Sequence, residues 1–127
     1  MFVNKIEDLV IYSIALELAK EIHELTDKIP YQWGIKDIDQ IRRSSSSVSS
    51  NITEGFGQRF YPNKFLYYLN IAKGSSDETQ NHLRNLLNKK YINYEKLCYY
   101  LKRYKNLSVK ILNFINYIKR KNNIKLN

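Results

Sequence analysis

Apolar residues recur at alternating steps of three and four along most of the chain, a pattern typical of amphipathic helices. Four such stripes predict helices over residues 5–29, 36–56, 62–89 and 93–120. No run alternates apolar and polar residues as a half-buried strand does, and no Asn-Gly hairpin signal occurs. The pattern predicts an all-α fold, an antiparallel up-down four-helix bundle, with residues 1–127 as one domain.

Proline, glycine and asparagine mark the expected helix ends. Pro30 is expected to stop the first helix, and residues 31–34 are expected to form the loop after it. Pro62 suits the first turn of the third helix, where its missing N–H has no consequence. Asn93 is a plausible N-cap for the fourth helix.

A serine run interrupts the second stripe. Six of the seven residues 44–50 are serine, a composition that alone would indicate a flexible linker. The stripe continues through Val48 to Ile52, so we predict continuous helix here. Small residues on the second and third helices should let these two helices approach closely. Gly74, in mid-helix, is expected to serve such a close approach.

Positive charge is concentrated in the last third of the chain. Residues 1–83 hold nine Lys/Arg and eleven Asp/Glu, whereas residues 84–127 hold twelve Lys/Arg and only Glu95. This asymmetry indicates a surface that faces a polyanion, and we favour nucleic acid over a membrane. A solvated lysine-rich helix is the alternative. The predicted nucleic-acid-binding residues are Lys89, Lys90, Lys96, Lys102, Arg103, Lys105, Lys110, Lys119, Arg120 and Lys121.

Tyrosines interleave with these basic residues. Aromatic rings can stack on unpaired bases while the cations contact phosphates, as in single-strand binding. Aromatic residues at helical spacing also serve as core or as subunit contacts. Both interpretations stay open for Tyr91, Tyr94, Tyr99, Tyr100, Tyr104 and Tyr117, and for Tyr67 and Tyr68 on the third helix.

Composition argues against several other classes. The single cysteine, Cys98, excludes an internal disulfide and is expected in the core or at its boundary. No apolar run approaches the roughly 20 residues of a membrane span, and acidic residues stand where a signal peptide would be apolar. We therefore expect a cytoplasmic protein. With no phosphate-binding glycine loop, catalytic triad or metal-spaced cluster, we predict no catalytic residue, metal or cofactor.

Three stretches carry recognisable motifs. The first comprises Gln40-Ile41-Arg42-Arg43, Ser47-Val48, Asn51-Ile52-Thr53-Glu54-Gly55 and Arg59; the others are Gly74-Ser75 with Glu78, and Glu7-Asp8-Leu9. Together they resemble the bacterial family of 23S ribosomal RNA intervening-sequence proteins, also called S23 proteins. Ser44, Ser45 and Thr53 depart from the family's usual alanine but stay small.

The resemblance implies a four-helix bundle and, less directly, an assembly. Many family members are encoded within intervening sequences of large-subunit ribosomal RNA genes. A structurally similar relative, the accessory variability protein of diversity-generating retroelements, forms a pentamer, binds nucleic acid and partners a reverse transcriptase. We accordingly expect a homo-oligomer, with a pentamer preferred, and a reverse transcriptase or ribosomal protein as a further partner.

A second group of charged residues lies within the motifs. We expect Arg42, Arg43, Glu54 and Glu78 to form ion pairs that hold the second and third helices together. An anion or phosphate site that includes Arg59 is the alternative.

These observations favour a non-catalytic accessory protein that self-associates and presents its basic fourth helix to RNA or DNA. The alternative is a protein-interaction scaffold that binds an acidic partner or a reverse transcriptase, without direct contact to nucleic acid.

Overall fold

The computed structural model describes residues 4–126, which form helices and short links without any strand. A 3-10 helix, Ile6–Asp8, precedes α1 (Val10–Asp27), α2 (Tyr31–Gly57), α3 (Pro62–Asn88) and α4 (Tyr94–Lys121). The short links make neighbouring helices antiparallel. α2 packs against α3, α3 against α4, and α1 against α2 and, less extensively, α4. The predicted all-α four-helix bundle is confirmed.

α1 is shorter than the sequence pattern indicates. It has 18 residues, and the predicted start at residue 5 is wrong because Leu9 adopts an extended conformation (φ −81°, ψ 117°). At 1.5 Å per residue, α1 spans about 27 Å, whereas the other helices span about 40 Å. α1 therefore covers only about two thirds of the length of the bundle.

The link between α1 and α2 also differs from the prediction. α1 ends at Asp27, two residues early, and residues 31–34 form the first turn of α2 instead of a loop. The carbonyl oxygen of Pro30 accepts hydrogen bonds from the N–H groups of Trp33 and Gly34, both at 3.1 Å. Since the fixed φ of proline suits a helix start, the residue that stops α1 also begins α2.

Gly34 bends α2 one turn from its start. Its backbone is non-helical (φ −119°, ψ 15°), and a Cβ there would lie 2.9 Å from Cγ2 of Ile29. The Tyr91 hydroxyl, from the α3–α4 link, donates a 2.7 Å hydrogen bond to the carbonyl oxygen of Trp33. The bend thus joins the two links at this end of the bundle.

The serine run is helical, as predicted, and its hydroxyls join α2 to α3. Ser44 and Thr79 share a 2.8 Å hydrogen bond between their hydroxyls, as do Ser47 and Ser75. On the other side of α3, Ser76 accepts a 2.7 Å hydrogen bond from Ser108 of α4. These short side chains bring the helices close while satisfying their own polar groups, as buried hydroxyls require.

The glycine that permits the closest approach is Gly55, not Gly74. A Cβ on Gly55 would lie 3.0 Å from Cβ of Tyr68 and 3.3 Å from the carbonyl oxygen of Phe65. A Cβ on Gly74 would have no neighbour within 4 Å, so the predicted packing role of Gly74 is wrong. Gly55 meets backbone of α3, which explains why that site needs a residue without a side chain.

The remaining helix ends agree with the prediction within one residue. Pro62 occupies the first turn of α3. The Asn93 side chain caps α4 by accepting a 2.8 Å hydrogen bond from the N–H of Lys96. This N-cap is the one that the sequence indicated.

Candidate nucleic-acid interface

The outer face of α4 carries most of the predicted nucleic-acid-binding side chains. Eight of the ten are exposed: Lys89, Lys90, Lys96, Lys102, Lys105, Lys110, Arg120 and Lys121. α4 buries the opposite face, from Leu97 through Tyr104 to Ile118. The apolar stripe that anchors α4 in the bundle therefore turns these lysines outward.

Three of the lysines lie on one side of α4. At 100° per residue, Lys105 lies about 60° to one side of Lys102 and Lys110 about 80° to the other. The three span eight residues, or about 12 Å along the helix axis. No Asp or Glu follows Glu95 in the sequence, so no acidic side chain of α4 beyond its first turn neutralises this surface. We call Lys102, Lys105 and Lys110 the lysine face.

Arg103, by contrast, is held inside the molecule. Its Nη1 donates to both carboxylate oxygens of Glu21 on α1, at 2.7 and 2.8 Å, and to the Tyr99 hydroxyl at 2.8 Å. Partial burial lowers the pKa of Arg103, but the hydrogen bond and charge of Glu21 outweigh it and raise the pKa. Arg103 therefore links α4 to α1 and is not part of the lysine face.

Lys89 and Lys119 are also placed differently from the rest. Lys89 donates to both oxygens of Asp37, at 2.9 and 3.1 Å, and this hydrogen bond raises the pKa of Lys89. Lys119 is only 8% exposed. Lys89 is thus exposed but paired with an acid, and Lys119 is buried, so neither resembles the exposed lysines of α4.

The tyrosines predicted near these residues separate into two groups. Tyr100 and Tyr104 are buried in the core, and Tyr91 and Tyr117 are half-buried against it. Tyr94 and Tyr99 are exposed beside the basic residues of α4, as is Cys98, which we expected in the core or at its boundary. Stacking on bases stays possible for the exposed two, whereas the buried two serve packing.

Arg42 is a structural residue, but it joins different helices from those expected. Its guanidinium donates to Asp27 at 2.7 Å, to the Thr26 hydroxyl at 2.8 Å and to the carbonyl oxygen of His23 at 3.2 Å. All three partners lie on α1. The predicted link between α2 and α3 through Arg42 is therefore wrong, because the side chain points to the other neighbour of α2.

Arg43 and Glu78 line one cleft of about 330 Å³ between α2 and α3, together with Lys36, Asp39, Gln40 and His82. Glu78 pairs with His82 of its own helix at 3.2 Å, and no ion pair joins it to an arginine in residues 4–126. The cleft mixes both signs of charge. The expected ion pairs between Arg43 and the two glutamates are therefore not formed.

Glu54 and Arg59 lie apart from this cleft. Glu54 is exposed on α2. The Arg59 guanidinium lies 4.1 Å from the ring centroid of Phe56 and 4.7 Å from that of Phe60, and donates to the carbonyl oxygen of Phe56 at 3.0 Å. The five charged residues of the motifs thus belong to three separate places in the fold.

Two surfaces were missed by the reading of the sequence. One is an apolar groove of about 840 Å³ along the outer side of α1, where Tyr12, Leu16 and Ala19 lie between charged residues. Their spacing of four and three residues is helical, so the sequence could have indicated a second apolar stripe on α1. The other surface is a group of exposed aromatic rings at the α2–α3 turn, where the sequence drew attention to Tyr67 but not to Phe60 or Tyr61.

Neither a metal-ligand cluster nor a membrane-spanning helix is found among the described residues. No group of three or more His, Cys, Asp or Glu within residues 4–126 is arranged to hold a metal ion. None of the helices in that range is long and apolar enough to cross a bilayer.

Comparison with known proteins agrees with the fold and the motifs. No curated protein matches the chain. A crystal structure of a protein of unknown function from the S23 ribosomal protein family of Bacteroides thetaiotaomicron is similar, with a TM-score of 0.76 and 26% identity. The match covers 84% of this chain and 96% of that one. The family model described as 23S rRNA-intervening sequence protein matches residues 7–113, and the chain belongs to this family.

Proposed function

We propose that the protein is a non-catalytic accessory factor that self-associates and binds RNA or DNA through the lysine face of α4. The observation that carries the proposal is the exposure of Lys102, Lys105 and Lys110 on a helix that has no acid after its first turn. The family description, which refers to an intervening sequence of ribosomal RNA, is consistent with a nucleic-acid partner.

The lysine face has dimensions that suit a phosphate backbone. Its length of about 12 Å matches three to four phosphates of one duplex strand, which are about 3.4 Å apart along the axis. Lysine ammonium groups act as point charges that neutralise phosphates and release condensed counterions. Such contacts position a nucleic acid without reading its sequence, so we expect binding that tolerates many sequences.

The test replaces Lys102, Lys105 and Lys110 together by glutamine. This change preserves helix propensity and leaves the Arg103–Glu21 ion pair in place. The matched control replaces three exposed lysines elsewhere, Lys5, Lys28 and Lys36, which lowers the net charge equally. Binding of labelled single-stranded RNA is measured by fluorescence anisotropy at salt concentrations from about 50 to 300 mM, over which contacts between exposed charges are increasingly screened.

We expect the lysine-face variant to reduce the slope of log K against log salt by about 2, since each single-strand contact contributes about 0.7. The control should leave the slope unchanged. If both variants bind as tightly as the parent at every salt concentration, the lysine face does not contact nucleic acid. The scaffold that binds an acidic protein, such as a reverse transcriptase or ribosomal partner, would then replace this proposal.

Self-association is the second part of the proposal. The groove on α1 leaves apolar surface in water, and the half-exposed Leu16 lies in it. A second copy of the chain is the occupant we propose, in a closed ring for which the resemblance favours five subunits. In a ring the two contacting faces differ, so the groove of one copy meets a different face of the next copy, and the lysine face stays outside this contact.

Sedimentation equilibrium tests the assembly. Leu16→Glu places a charge in the groove and should shift the protein towards monomer at tens of micromolar. Ile35→Glu, an equally apolar exposed site outside the groove, should leave the assembly intact. A monomeric parent protein, or equal behaviour of both variants, would refute the proposed groove contact.

A further inference from the structure

Three large aromatic side chains project into solvent around the turn between α2 and α3. Phe60 is 79% exposed, Tyr61 62% and Tyr67 61%. Scattered single apolar residues are common on protein surfaces, but a contiguous group usually marks a binding site. Tyr67 follows Tyr61 by six residues, or about 9 Å along the axis of α3, so the three rings lie at one end of the bundle.

Two cations lie against these rings and orient them. The Arg59 guanidinium lies between the rings of Phe56 and Phe60, within 4.7 Å of both centroids, and its hydrogen bond to the backbone fixes it there. The Lys64 ammonium lies 5.1 Å from the ring centroid of Tyr61. Cation–π contacts of this kind hold the rings near positive charge while leaving them largely in water. We call Arg59, Phe60, Tyr61, Lys64 and Tyr67 the aromatic tip.

The basic end of α4 lies at the same end of the bundle. Phe65 of α3 packs edge-on against Phe114 of α4, with 5.7 Å between ring centroids. Beyond this contact, towards the end of the bundle, lie the α2–α3 turn with Phe60 and Tyr61, and residues 118–121 of α4. Residues 58–76 and 96–127 contain no Asp or Glu, so both segments that build this end are positively charged or neutral.

We infer that the aromatic tip binds unpaired nucleotides by stacking their bases on Phe60, Tyr61 and Tyr67. The inference rests on the proposed nucleic-acid function and adds a second site and a substrate class, single-stranded RNA or DNA. Exposed rings beside cations are the arrangement with which proteins bind single strands without sequence preference. Bases inside a duplex are already stacked, so a duplex cannot use the rings in this way.

The test removes the three rings in the full-length protein as Phe60→Ala, Tyr61→Ala and Tyr67→Ala together. The control removes the two exposed rings at the opposite end of the bundle that lie outside α4, Tyr31 and Trp33, which are 57% and 71% exposed. All five side chains are largely in water, so both variants should keep the fold, which far-UV circular dichroism checks. The probes are a labelled 15-nucleotide oligo(U) strand and a labelled 15-base-pair duplex.

We expect the aromatic-tip variant to weaken oligo(U) binding by about 5- to 150-fold for each base that stacks. The salt slope should stay unchanged, since no charge is removed, and duplex binding should be unaffected. The control should bind like the parent. Phe60→Leu, which keeps an apolar side chain but removes the π-face, should lose affinity as Phe60→Ala does.

Several results would overturn the inference, and they differ from failure of the proposed function. If only the lysine-face variant loses affinity, α4 binds nucleic acid and the aromatic tip does not. If Phe60→Leu retains full affinity, the contact is apolar packing and not stacking. If the aromatic-tip variant instead loses self-association, the patch is an interface between copies. If the parent binds neither probe, the nucleic-acid function itself is refuted.

Discussion

Tyr104 gives the sharpest test of the packing described for the core. It is completely buried, and its hydroxyl has no hydrogen-bond partner in residues 4–126. Burial raises its pKa. The Ser45 hydroxyl is close enough to lower that pKa, but it donates to the carbonyl oxygen of Arg42 at 3.1 Å and does not meet hydrogen-bond geometry with Tyr104. A buried hydroxyl without a partner destabilises a fold, so we predict that Tyr104→Phe stabilises the protein.

The expected magnitude follows from two opposing effects. Removing a desolvated, unpaired hydroxyl should recover about 1–3 kcal/mol. Against this gain, the loss of the packing contacts of that oxygen atom should destabilise the fold by a few tenths of a kcal/mol. The variant should therefore gain about 1–2 kcal/mol in the free energy of unfolding, or roughly 3–8 °C in Tm for a domain of this size.

The pH dependence has a definite sign. An unfolded tyrosine loses its proton near pH 10, whereas the raised pKa of Tyr104 keeps the proton in the folded state. Above that pH the folded state binds more protons than the unfolded state, so the stability present below pH 10 falls as the pH rises. This group alone should remove about 1.4 kcal/mol per pH unit, and Tyr104→Phe should lack that loss.

Urea denaturation followed by circular dichroism at pH 8, 9, 10 and 11 measures both effects. The difference between Tyr104→Phe and the parent should be present at pH 8 and widen above pH 10. Tyr67→Phe, which removes a hydroxyl already in water, is the control and should change little. A loss of stability in Tyr104→Phe at pH 8 would refute the reasoning, since it would mean that the hydroxyl is satisfied in the fold.

Five further variants test local features by thermal and urea denaturation. Gly74→Ala should stabilise the protein by about 0.5–1 kcal/mol because the added Cβ meets no neighbour. Gly55→Ala should destabilise the protein by about 1–3 kcal/mol because the added Cβ meets the backbone of α3. Arg42→Gln should lower stability by about 1 kcal/mol through the loss of its bonds to α1, and Arg43→Gln should change it by less than about 0.5 kcal/mol. Asn93→Ala should cost about 1 kcal/mol by removing the N-cap of α4.

Each comparison has an outcome that contradicts it. Equal effects of alanine at the two glycines would show that α2 and α3 can move apart at Gly55 without loss. A larger effect of Arg43→Gln than of Arg42→Gln would place the structural arginine in the α2–α3 cleft. An unchanged Tm for Asn93→Ala would mean that the start of α4 is held by its tertiary contacts alone.

Features that depend on neighbours in the chain were predictable. The apolar stripes indicated four helices because a helical face repeats every three to four residues, and the Asn93 cap acts on an N–H three residues away. The serine run was predicted to be helical because Val48 and Ile52 keep the stripe in phase through it. Where the prediction failed, at residues 31–34, the turn is joined to Ile29 and Tyr91 by packing that local pattern does not show.

The roles of Gly55 and Gly74 show the same limit of prediction from the sequence. Gly55 and Gly74 have the same chemistry and both lie in helices, yet only one of them meets the backbone of a neighbouring helix. Which of the two is needed for packing depends on the rotation of α2 and α3 about their axes. An apolar stripe shows which face of a helix is buried, but it defines the rotation of the helix only to within the width of one side chain. The sequence therefore could not show which of the two glycines meets a neighbouring helix.

The same distinction between local pattern and tertiary packing applies to the candidate nucleic-acid interface. The sequence by itself determined that α4 is basic and which of its faces is apolar, since charge and periodicity are properties of the chain. Only the tertiary structure decided which cations remain available: Arg103 is paired with an acid 82 positions away and Lys89 with one 52 positions away, whereas Lys102, Lys105 and Lys110 stay exposed. Pairing between residues so distant in the chain arises from how the helices pack, and no local pattern encodes it.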